Sequence, residues 1–235
     1  MRFGSLFAGI GGFDLGLERA GLAVRWQVEN DERCNRVLAR HWPYVARFGD
    51  VRRVDGRVLE HVDLIAGGFP CTDISDASRG RGGGIDGERS GLWREMVRIV
   101  DDIRPRWVLV ENVGGAAAKR WVPVVRRALH ERGYPSVPIR VRGVDVGARY
   151  DGARIYVAAA DRDGESARAV HAKVAELRTT AESDRPDRWQ PPSCALGVAD
   201  GIPDRMERLA AVGNAVDPRI AEMIGRAILR VERSE

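Results

Sequence analysis

Pro70 and Cys71 directly follow the apolar stretch of residues 62–66. This stretch predicts a buried β-strand, so the cysteine falls on a proline-stiffened turn at the strand's carboxyl end. In open α/β sheets, ligands bind at this edge. The alternative is a buried cysteine that packs as a small apolar side chain, but polar Thr72 and Asp73 favour an exposed turn. Because reactive thiols need partial exposure, we interpret Cys71 as a candidate nucleophile.

A carboxylate follows a second apolar stretch. Glu111, with Asn112 beside it, comes directly after residues 107–110, which predict another buried strand. A carboxyl group in a buried pocket has a raised pKa and can act as a proton donor. The alternative is a carboxylate that caps the following helix. Glu111 is therefore a candidate acid.

Residues 7–12, Phe-Ala-Gly-Ile-Gly-Gly, lie between a predicted strand and a predicted helix, and we call them the glycine-rich turn. Glycines there let a ligand approach the backbone closely, and the amino end of the helix offers free N–H groups. The turn is not the complete dinucleotide-binding pattern, because Leu15 occupies the position of the last glycine. Purely structural glycines are the alternative.

Two acids follow the next two predicted strands. Glu29 ends the second strand, where a carboxylate can accept hydrogen bonds from two ribose hydroxyls. Asp50 follows the third strand and could accept from an adenine amino group. Each could instead cap a helix or face solvent. Their positions after successive strands favour a nucleotide-like ligand.

Strand-like and helix-like segments alternate along most of the chain and must position these side chains. Predicted strands cover residues 2–7, 23–28, 46–48, 62–66, 107–110, 137–141 and 154–159. Predicted helices cover residues 13–20, 31–39, 92–103, 122–132, 167–177 and 218–231. The alternation predicts an α/β fold with a doubly wound, mostly parallel sheet. Residues 179–201 are polar and rich in Pro, Gly, Ser and Asp, which predicts loops.

Composition narrows the class of protein. The chain has 235 residues, with 38 Lys and Arg side chains against 34 Asp and Glu. Only Lys119 and Lys173 are lysines. The arginine bias reflects either genome composition or contacts with phosphates and guanines. Three irregularly spaced cysteines indicate neither a disulfide framework nor a zinc site. No segment has the length and apolarity of a membrane span or the pattern of a signal peptide, so we expect no membrane and a cytoplasmic setting. The sparse histidines form no ligand cluster, so we also expect no metal.

The ordered set of motifs resembles the DNA (cytosine-5-)-methyltransferase family. The shared motifs are the glycine-rich turn, Glu29, Gly49-Asp50, Pro70-Cys71, Ser90-Gly91-Leu92-Trp93, Glu111-Asn112-Val113 and Gly213-Asn214-Ala215-Val216. The resemblance covers residues 2–160 and 199–232, and residues 197–203 are similar to small phage-type members. Restriction–modification is one of the roles that it implies.

The resemblance implies a Rossmann-like class I methyltransferase fold, S-adenosylmethionine as the cofactor and double-stranded DNA as the partner. The cofactor-binding residues that it implies are Phe7, Ala8, Gly9, Gly11, Gly12, Glu29, Asn30, Asp50, Val51, Pro70, Leu92, Asn214 and Val216. Cys71 would be the nucleophile that adds to cytosine C6. Glu111 would hold the base at N3, and Arg154 would hold its other edge. The target cytosine must leave the stacked duplex for this chemistry.

The chain departs from the family pattern near the base pocket. Tyr150 and Gly152 stand where the family has Gln and Arg ahead of the last arginine, so one cation is missing. Thr72 replaces the usual Gln after the Pro-Cys pair, a variant that we regard as tolerated.

The region left for target recognition is also short. We expect a catalytic and cofactor-binding domain over residues 1–160, a reduced target-recognition region over 161–205, and a C-terminal helix over 206–235 that returns to the catalytic domain. Residues 161–190 would have to supply most base contacts. This predicts short or relaxed sequence specificity, or a partner protein that supplies specificity.

Two alternative functions stay open. A tRNA cytosine-C5 methyltransferase would use the same motifs and would fit the short recognition region. A catalytically weak DNA- or cofactor-binding subunit would fit the glycine at position 152, but the presence of Cys71, Glu111 and Arg154 argues against it. A nicotinamide dehydrogenase would explain the glycine-rich turn and nothing else.

Overall fold

The structure is a computed structural model and describes residues 1–70, 90–148, 152–161, 164–182 and 213–234. Its strands are β1 (Arg2–Leu6), β2 (Ala23–Val28), β3 (Ala46–Phe48), β4 (Leu64–Gly67), β5 (Trp107–Val113), β6 (Ser136–Arg142) and β7 (Ala153–Ala160).

These strands form one sheet in the order β3-β2-β1-β4-β5-β7-β6. Strands β1 to β5 pair in parallel, while β7 lies antiparallel between β5 and β6. The predicted doubly wound, mostly parallel sheet is therefore confirmed. Because β7 runs the opposite way, its first residues lie at the edge where the parallel strands end.

Helices cover both faces of the sheet. They are α1 (Gly12–Ala20), α2 (Glu32–His41), α3 (Trp93–Ile103), α4 (Ala118–His130), α5 (Gly164–Glu182) and α6 (Pro218–Arg233). Apolar side chains of α1, α5 and α6 form one core cluster with the sheet, among them Phe13, Leu17, Val170 and Ile224. Those of α3 and α4 form the other, among them Met96, Val100, Trp121 and Val125.

Local sequence signals set the helix ends. The Asp31 carboxylate accepts hydrogen bonds from the Arg33 and Cys34 amides at 2.9 and 2.8 Å, which caps α2. Helix α1 ends at Gly21, whose φ of 103° few other residues adopt. Asp217 caps α6 in the same way as Asp31 caps α2, and a proline follows it at the first helical position.

Three elements extend by three or more residues beyond their predicted bounds. Strand β5 continues to Val113, so Glu111 lies inside a strand rather than after it. Helix α4 begins at Ala118, one turn earlier than predicted. Helix α5 spans Gly164–Glu182, and Ala167, Val170 and Val174 are buried. Much of the region expected to read DNA is thus a helix packed on the catalytic sheet. The division at residues 160 and 205 stays a prediction.

Candidate active site

The glycine-rich turn leaves the end of β1 in a left-handed backbone conformation. Phe7, Gly9 and Gly11 have φ values of 54°, 56° and 87°. A phenylalanine in this region is strained, and such residues persist only where the surroundings hold them. The Ala8 amide donates to the Val28 carbonyl at 3.1 Å, which anchors the turn to the end of β2.

Close contacts explain why two glycines of the turn cannot be larger residues. A Cβ on Gly11 would lie 2.4 Å from the Trp42 ring. A Cβ on Gly12 would lie 2.2 Å from the Val216 carbonyl oxygen. These glycines therefore have a structural role, as the alternative interpretation held, and they also bring residues 214–216 beside the turn.

Glu29 joins the end of β2 to the turn. Its Oε2 accepts a hydrogen bond from the Gly9 amide at 2.8 Å, and its Oε1 accepts from the Asp31 amide at 2.8 Å. A carboxylate has about four acceptor sites, so further donors can still bind. Glu29 lines a cleft of about 370 Å³.

Asp50 caps a helical turn, which the sequence analysis gave as the alternative to binding an adenine amino group. It caps the short helical turn Val51–Arg53, and its Oδ2 accepts from Arg52 Nη2 at 2.6 Å. Hydrogen bonds from Arg52 lower the pKa of Asp50. The residue also lines a second cavity, of about 320 Å³, which brings together many of the predicted cofactor residues: Phe7, Glu29, Asn30, Asp50, Val51, Pro70 and Leu92.

Glu111 and Arg154 form an ion pair at the carboxyl edge of the sheet. Arg154 Nε lies 3.1 Å from Glu111 Oε1, and the exposed fractions of the two side chains are 30% and 9%. Burial raises the pKa of Glu111 to about 7, while Arg154 acts in the opposite direction. The carboxyl group is thus poised to hold or release a proton near neutrality.

Backbone carbonyls accept hydrogen bonds from Arg154 and from Asn112, the neighbour of Glu111. Arg154 Nη2 also donates to the Gly213 carbonyl at 3.3 Å. Asn112 Nδ2 donates to the Phe69 carbonyl at 2.9 Å, which ties β5 to the chain just before the predicted nucleophile. A Cβ on Gly68 would lie 2.7 Å from Glu111 Oε2, so a larger residue there would displace the carboxyl group.

The larger cleft joins the turn to the ion pair. Its walls include predicted residues from both sets, namely Phe7, Ala8, Gly9, Gly12, Glu29, Pro70, Glu111, Arg154, Asn214 and Val216. Phe7, Glu29 and Pro70 line both cavities, so the two are neighbours. Gly11 lies in the turn but does not line either cavity. Cys71, Thr72 and Tyr150 lie outside the described residues, whereas Pro70, which precedes Cys71 in the chain, lines this cleft.

Sequence reasoning missed two polar residues near the cleft. Cys34 lines it, but burial and the neighbouring Glu29 and Asp31 raise its thiol pKa to about 12, so it stays protonated. Asp14 is fully buried beneath the turn. The sequence signal for Asp14 was an acid on the apolar side of an amphipathic helix, between Phe13 and Leu17.

Within the part of the chain that the structure describes, no three His, Cys, Asp or Glu side chains cluster as metal ligands do. Among the same residues, none of the helices combines the length and apolarity needed to cross a bilayer.

Comparison with known sequences identifies relatives. The family described as C-5 cytosine-specific DNA methylase matches residues 1–191. Type II methyltransferase M2.BsuMI of Bacillus subtilis is 40% identical over 117 residues, 48% of this chain and 29% of the relative. M.FnuDI of Fusobacterium nucleatum is 33% identical over 159 residues, 66% of this chain and 46% of the relative. The chain thus spans less than half the length of these curated relatives.

Comparison with solved structures supports the fold. A candidate DNA modification methyltransferase encoded within an E. coli prophage aligns with a TM-score of 0.68 and 18% identity, covering 99% of each chain. Dnmt2 of S. pombe aligns with a TM-score of 0.61 and 15% identity, covering 88% of this chain and 66% of that one. At such identities the likeness shows the fold alone. The family match extends over most of the sequence, and the chain therefore belongs to the C-5 cytosine-specific DNA methylase family.

Proposed function

We propose that the protein methylates C5 of cytosine in double-stranded DNA, with S-adenosylmethionine as the methyl donor and Cys71 as the covalent nucleophile. The observation that carries this proposal is that buried Glu111, paired with half-buried Arg154, lies in one cleft with the glycine-rich turn. An acid that titrates near neutrality then faces the same space as the turn and Pro70.

The cofactor residues suit a nucleoside that carries a positively charged sulfonium. Glu29 has acceptor sites left for ribose hydroxyls, and Asp50 adds a second carboxylate on the neighbouring cavity. Phe7 and Leu92 offer apolar surface there. The amino end of α1, capped by Gly11 without a side-chain hydrogen bond, leaves amide donors for a carboxylate. When bound, the cofactor supplies an electrophilic methyl group.

The chain's own residues then account for the activation of cytosine. The Cys71 thiolate forms a bond to C6, and the electron pair of the C5–C6 double bond becomes available at C5. Glu111 donates its proton to N3 and so neutralises the charge that develops on the ring. After C5 has gained the methyl group, a base removes the C5 proton, the C5–C6 double bond reforms and Cys71 leaves as the thiolate, while N3 returns its proton to Glu111.

Arg154 has two roles in this scheme. Its guanidinium holds the edge of the flipped base, and its contact with Oε1 keeps the Glu111 carboxyl oriented. Among the described residues that line the cleft, the cations are Arg33 and Arg154. With Gly152 in place of the family's other arginine, Arg154 is the cation that this proposal assigns to the base.

A trapping experiment tests the proposal. Duplex DNA with 5-fluorocytosine cannot lose its C5 substituent, so with S-adenosylmethionine it should give an adduct that survives denaturation. Cys71→Ala should abolish the adduct. Cys34→Ala is the matched control, because its thiol also lines the cleft yet has a pKa of about 12. Cys194→Ala should also retain the adduct.

The outcomes separate the alternatives. An adduct in Cys71→Ala would contradict the assignment of the nucleophile. Cofactor binding without any adduct or methyl transfer would favour a weak binding subunit. Methyl transfer to tRNA at a higher rate than to duplex DNA, measured side by side with the same enzyme, would favour the RNA enzyme.

A further inference from the structure

A buried polar cluster lies beneath the glycine-rich turn, and the mechanism above does not use it. Asp14, on the first turn of α1, is fully buried. Its Oδ2 accepts a hydrogen bond from Ser5 Oγ at 3.1 Å, and its Oδ1 accepts from Gln27 Nε2 at 2.8 Å. Ser5 belongs to β1 and Gln27 to β2, so one carboxyl group joins three elements.

This cluster is costly to bury. Burial raises the pKa of Asp14 to about 6, even though the hydrogen bonds from Gln27 and Ser5 act to lower it. Gln27 Oε1 is buried without a hydrogen-bond partner among the described residues. Apolar side chains of similar volume would avoid both costs. Fold stability alone therefore does not explain the cluster.

Each member of the cluster lies two positions along the chain from a residue of the proposed cofactor site. Ser5 lies two positions before Phe7, and Gln27 lies two positions before Glu29. Asp14 lies two positions after Gly12. The same carboxyl group thus holds three of the chain segments that reach the proposed cofactor site, in each case two positions from a site residue.

We propose that Asp14 is a positioning residue that fixes the spacing of Phe7, Glu29 and the amino end of α1, and thereby sets the affinity for S-adenosylmethionine. This inference rests on the proposed function, because it takes the cofactor from it.

Two sets of side-chain hydrogen bonds then hold Glu29 and the glycine-rich turn in position relative to each other. On the ligand side, the Gly9 amide binds Glu29 Oε2 at 2.8 Å. Beneath the turn, Asp14 binds Gln27 and Ser5. The loss of Asp14 removes the side-chain tie beneath the turn, so Glu29 is then held to the turn by the Gly9 contact and by the Ala8–Val28 backbone hydrogen bond on this side of the site. Hydrogen bonds weaken steeply as their geometry departs from the optimum, so a small shift of Glu29 weakens its contact with the ribose.

Calorimetric binding of S-adenosylmethionine to purified variants tests the inference without any methyl transfer. Asp14→Ala should raise Kd about tenfold or more, comparable to the direct loss of a contact in Glu29→Ala. Asp14→Asn keeps an acceptor for Gln27 and offers a donor to Ser5, so its Kd should stay within about threefold of the wild type. In kinetic assays, Asp14→Ala should raise KM for the cofactor while kcat at saturation changes little.

Tyr134→Phe is the matched control for a general loss of stability. Its buried hydroxyl donates to the Pro105 carbonyl at 2.7 Å, away from the cleft. This variant should lower Tm and leave Kd unchanged. If Asp14→Ala does not fold, Ser5→Ala removes one hydrogen bond of the cluster and should raise Kd about two- to fivefold.

Three results would overturn the inference. The first is an unchanged Kd in folded Asp14→Ala or, if that variant does not fold, in Ser5→Ala. The second is a Tyr134→Phe variant that raises Kd as much as the cluster variants do. The third is the absence of S-adenosylmethionine binding by the wild-type protein. That result would contradict the proposed function as well, whereas either of the first two results would leave the proposed function standing.

Discussion

Burial and a neighbouring cation act in opposite directions on the pKa of the Glu111 carboxyl group. Burial is the larger effect, so the pKa rises to about 7 despite the Arg154 guanidinium 3.1 Å away. A cytosine that enters the cleft would remove more water from the pair and bring an acceptor at N3. The same burial that makes the ionised form costly in the free protein thus keeps a proton available for the base.

The pH dependence of stability should reveal this carboxyl group. The folded-state pKa of Glu111 is raised from 4.5 to about 7. Its contribution to the free energy of unfolding is therefore complete below about pH 4.5 and is lost as pH rises through 7. Glu111→Gln cannot ionise and should flatten the decline between about pH 4.5 and 7 in chemical denaturation, most distinctly between about pH 6 and 7, above the pKa of Asp14.

Asp14 provides the matched comparison. Its pKa is raised from 3.8 to about 6, so Asp14→Asn should flatten the decline between about pH 4 and 6 instead. A Glu111→Gln variant that loses stability as steeply as the wild type between about pH 6 and 7 would contradict the assignment.

The sequence predicted which residues meet at the cleft better than how they contact one another. Phe7 and Glu29 follow strands and Glu111 lies near the carboxyl end of one, so their common edge follows from strand direction. The Glu111–Arg154 contact depends on the antiparallel register that sets Arg154 opposite Val113, which local patterns do not encode. The Asp14 cluster likewise forms only when α1 packs on β1 and β2. The role of Cys71 stays a prediction.

At the scale of elements, α1 and α6 pack with unusually close backbones. A Cβ on Gly16 would lie 2.2 Å from the Pro218 carbonyl oxygen and 2.5 Å from Ala221 Cβ. A Cβ on Gly225 would lie 2.8 Å from Ala20 Cβ. The same approach sets Val216 against Gly12 and so forms one wall of the cleft.

Gly16→Ala should therefore destabilise the protein although alanine favours helices. Overpacking costs about 1–3 kcal/mol, against a gain of about 1 kcal/mol in helix propensity. Since about 1 kcal/mol corresponds to roughly 2–4 °C in a chain of this size, Tm should fall by several degrees. Gly49→Ala is the control, because a Cβ there meets nothing within 4 Å. Equal Tm values for the two variants would show that the helices can separate freely.

Most elements were predictable, since apolar periodicity and Gly or Pro stops mark them locally. The bounds of β5 and α5 were not, because tertiary contacts extend both. Glu111 and Asn112 are polar, yet pairing with β7 continues the strand through them. Helix α5 continues to Glu182 into a stretch whose composition predicts a loop, and its first half is held by packing on the sheet.

At the scale of the whole molecule, the described residues of the expected target-recognition region offer little surface for reading bases. Ala167, Val170 and Val174 of α5 face the core, while Arg168 on the same helix is exposed. An exposed arginine suits phosphate contacts, which position a duplex without specifying its sequence. The remaining candidates, residues 183–205, lie outside the described part of the chain.

We expect the purified protein to discriminate only about two to three base pairs, because each base-edge contact contributes about 1–3 kcal/mol and few residues can supply one. Its affinity for DNA should fall steeply as salt rises. Bisulfite sequencing of DNA from cells that express the protein, with Cys71→Ser as the control, maps the methylated sites. A single strict site of about five or six base pairs from the purified protein alone would contradict this prediction.

The contact between α1 and α6 also sets an order of events during translation. Glycines 12 and 16 are synthesised early, but the residues that cover them, Val216 and Pro218, are synthesised about 10–40 s later at 5–20 residues per second. Until then the side of α1 that carries these glycines has no α6 to pack against, and the wall at Val216 is missing. The nascent chain should therefore acquire its cofactor only after the segment that ends in α6 has emerged from the ribosome.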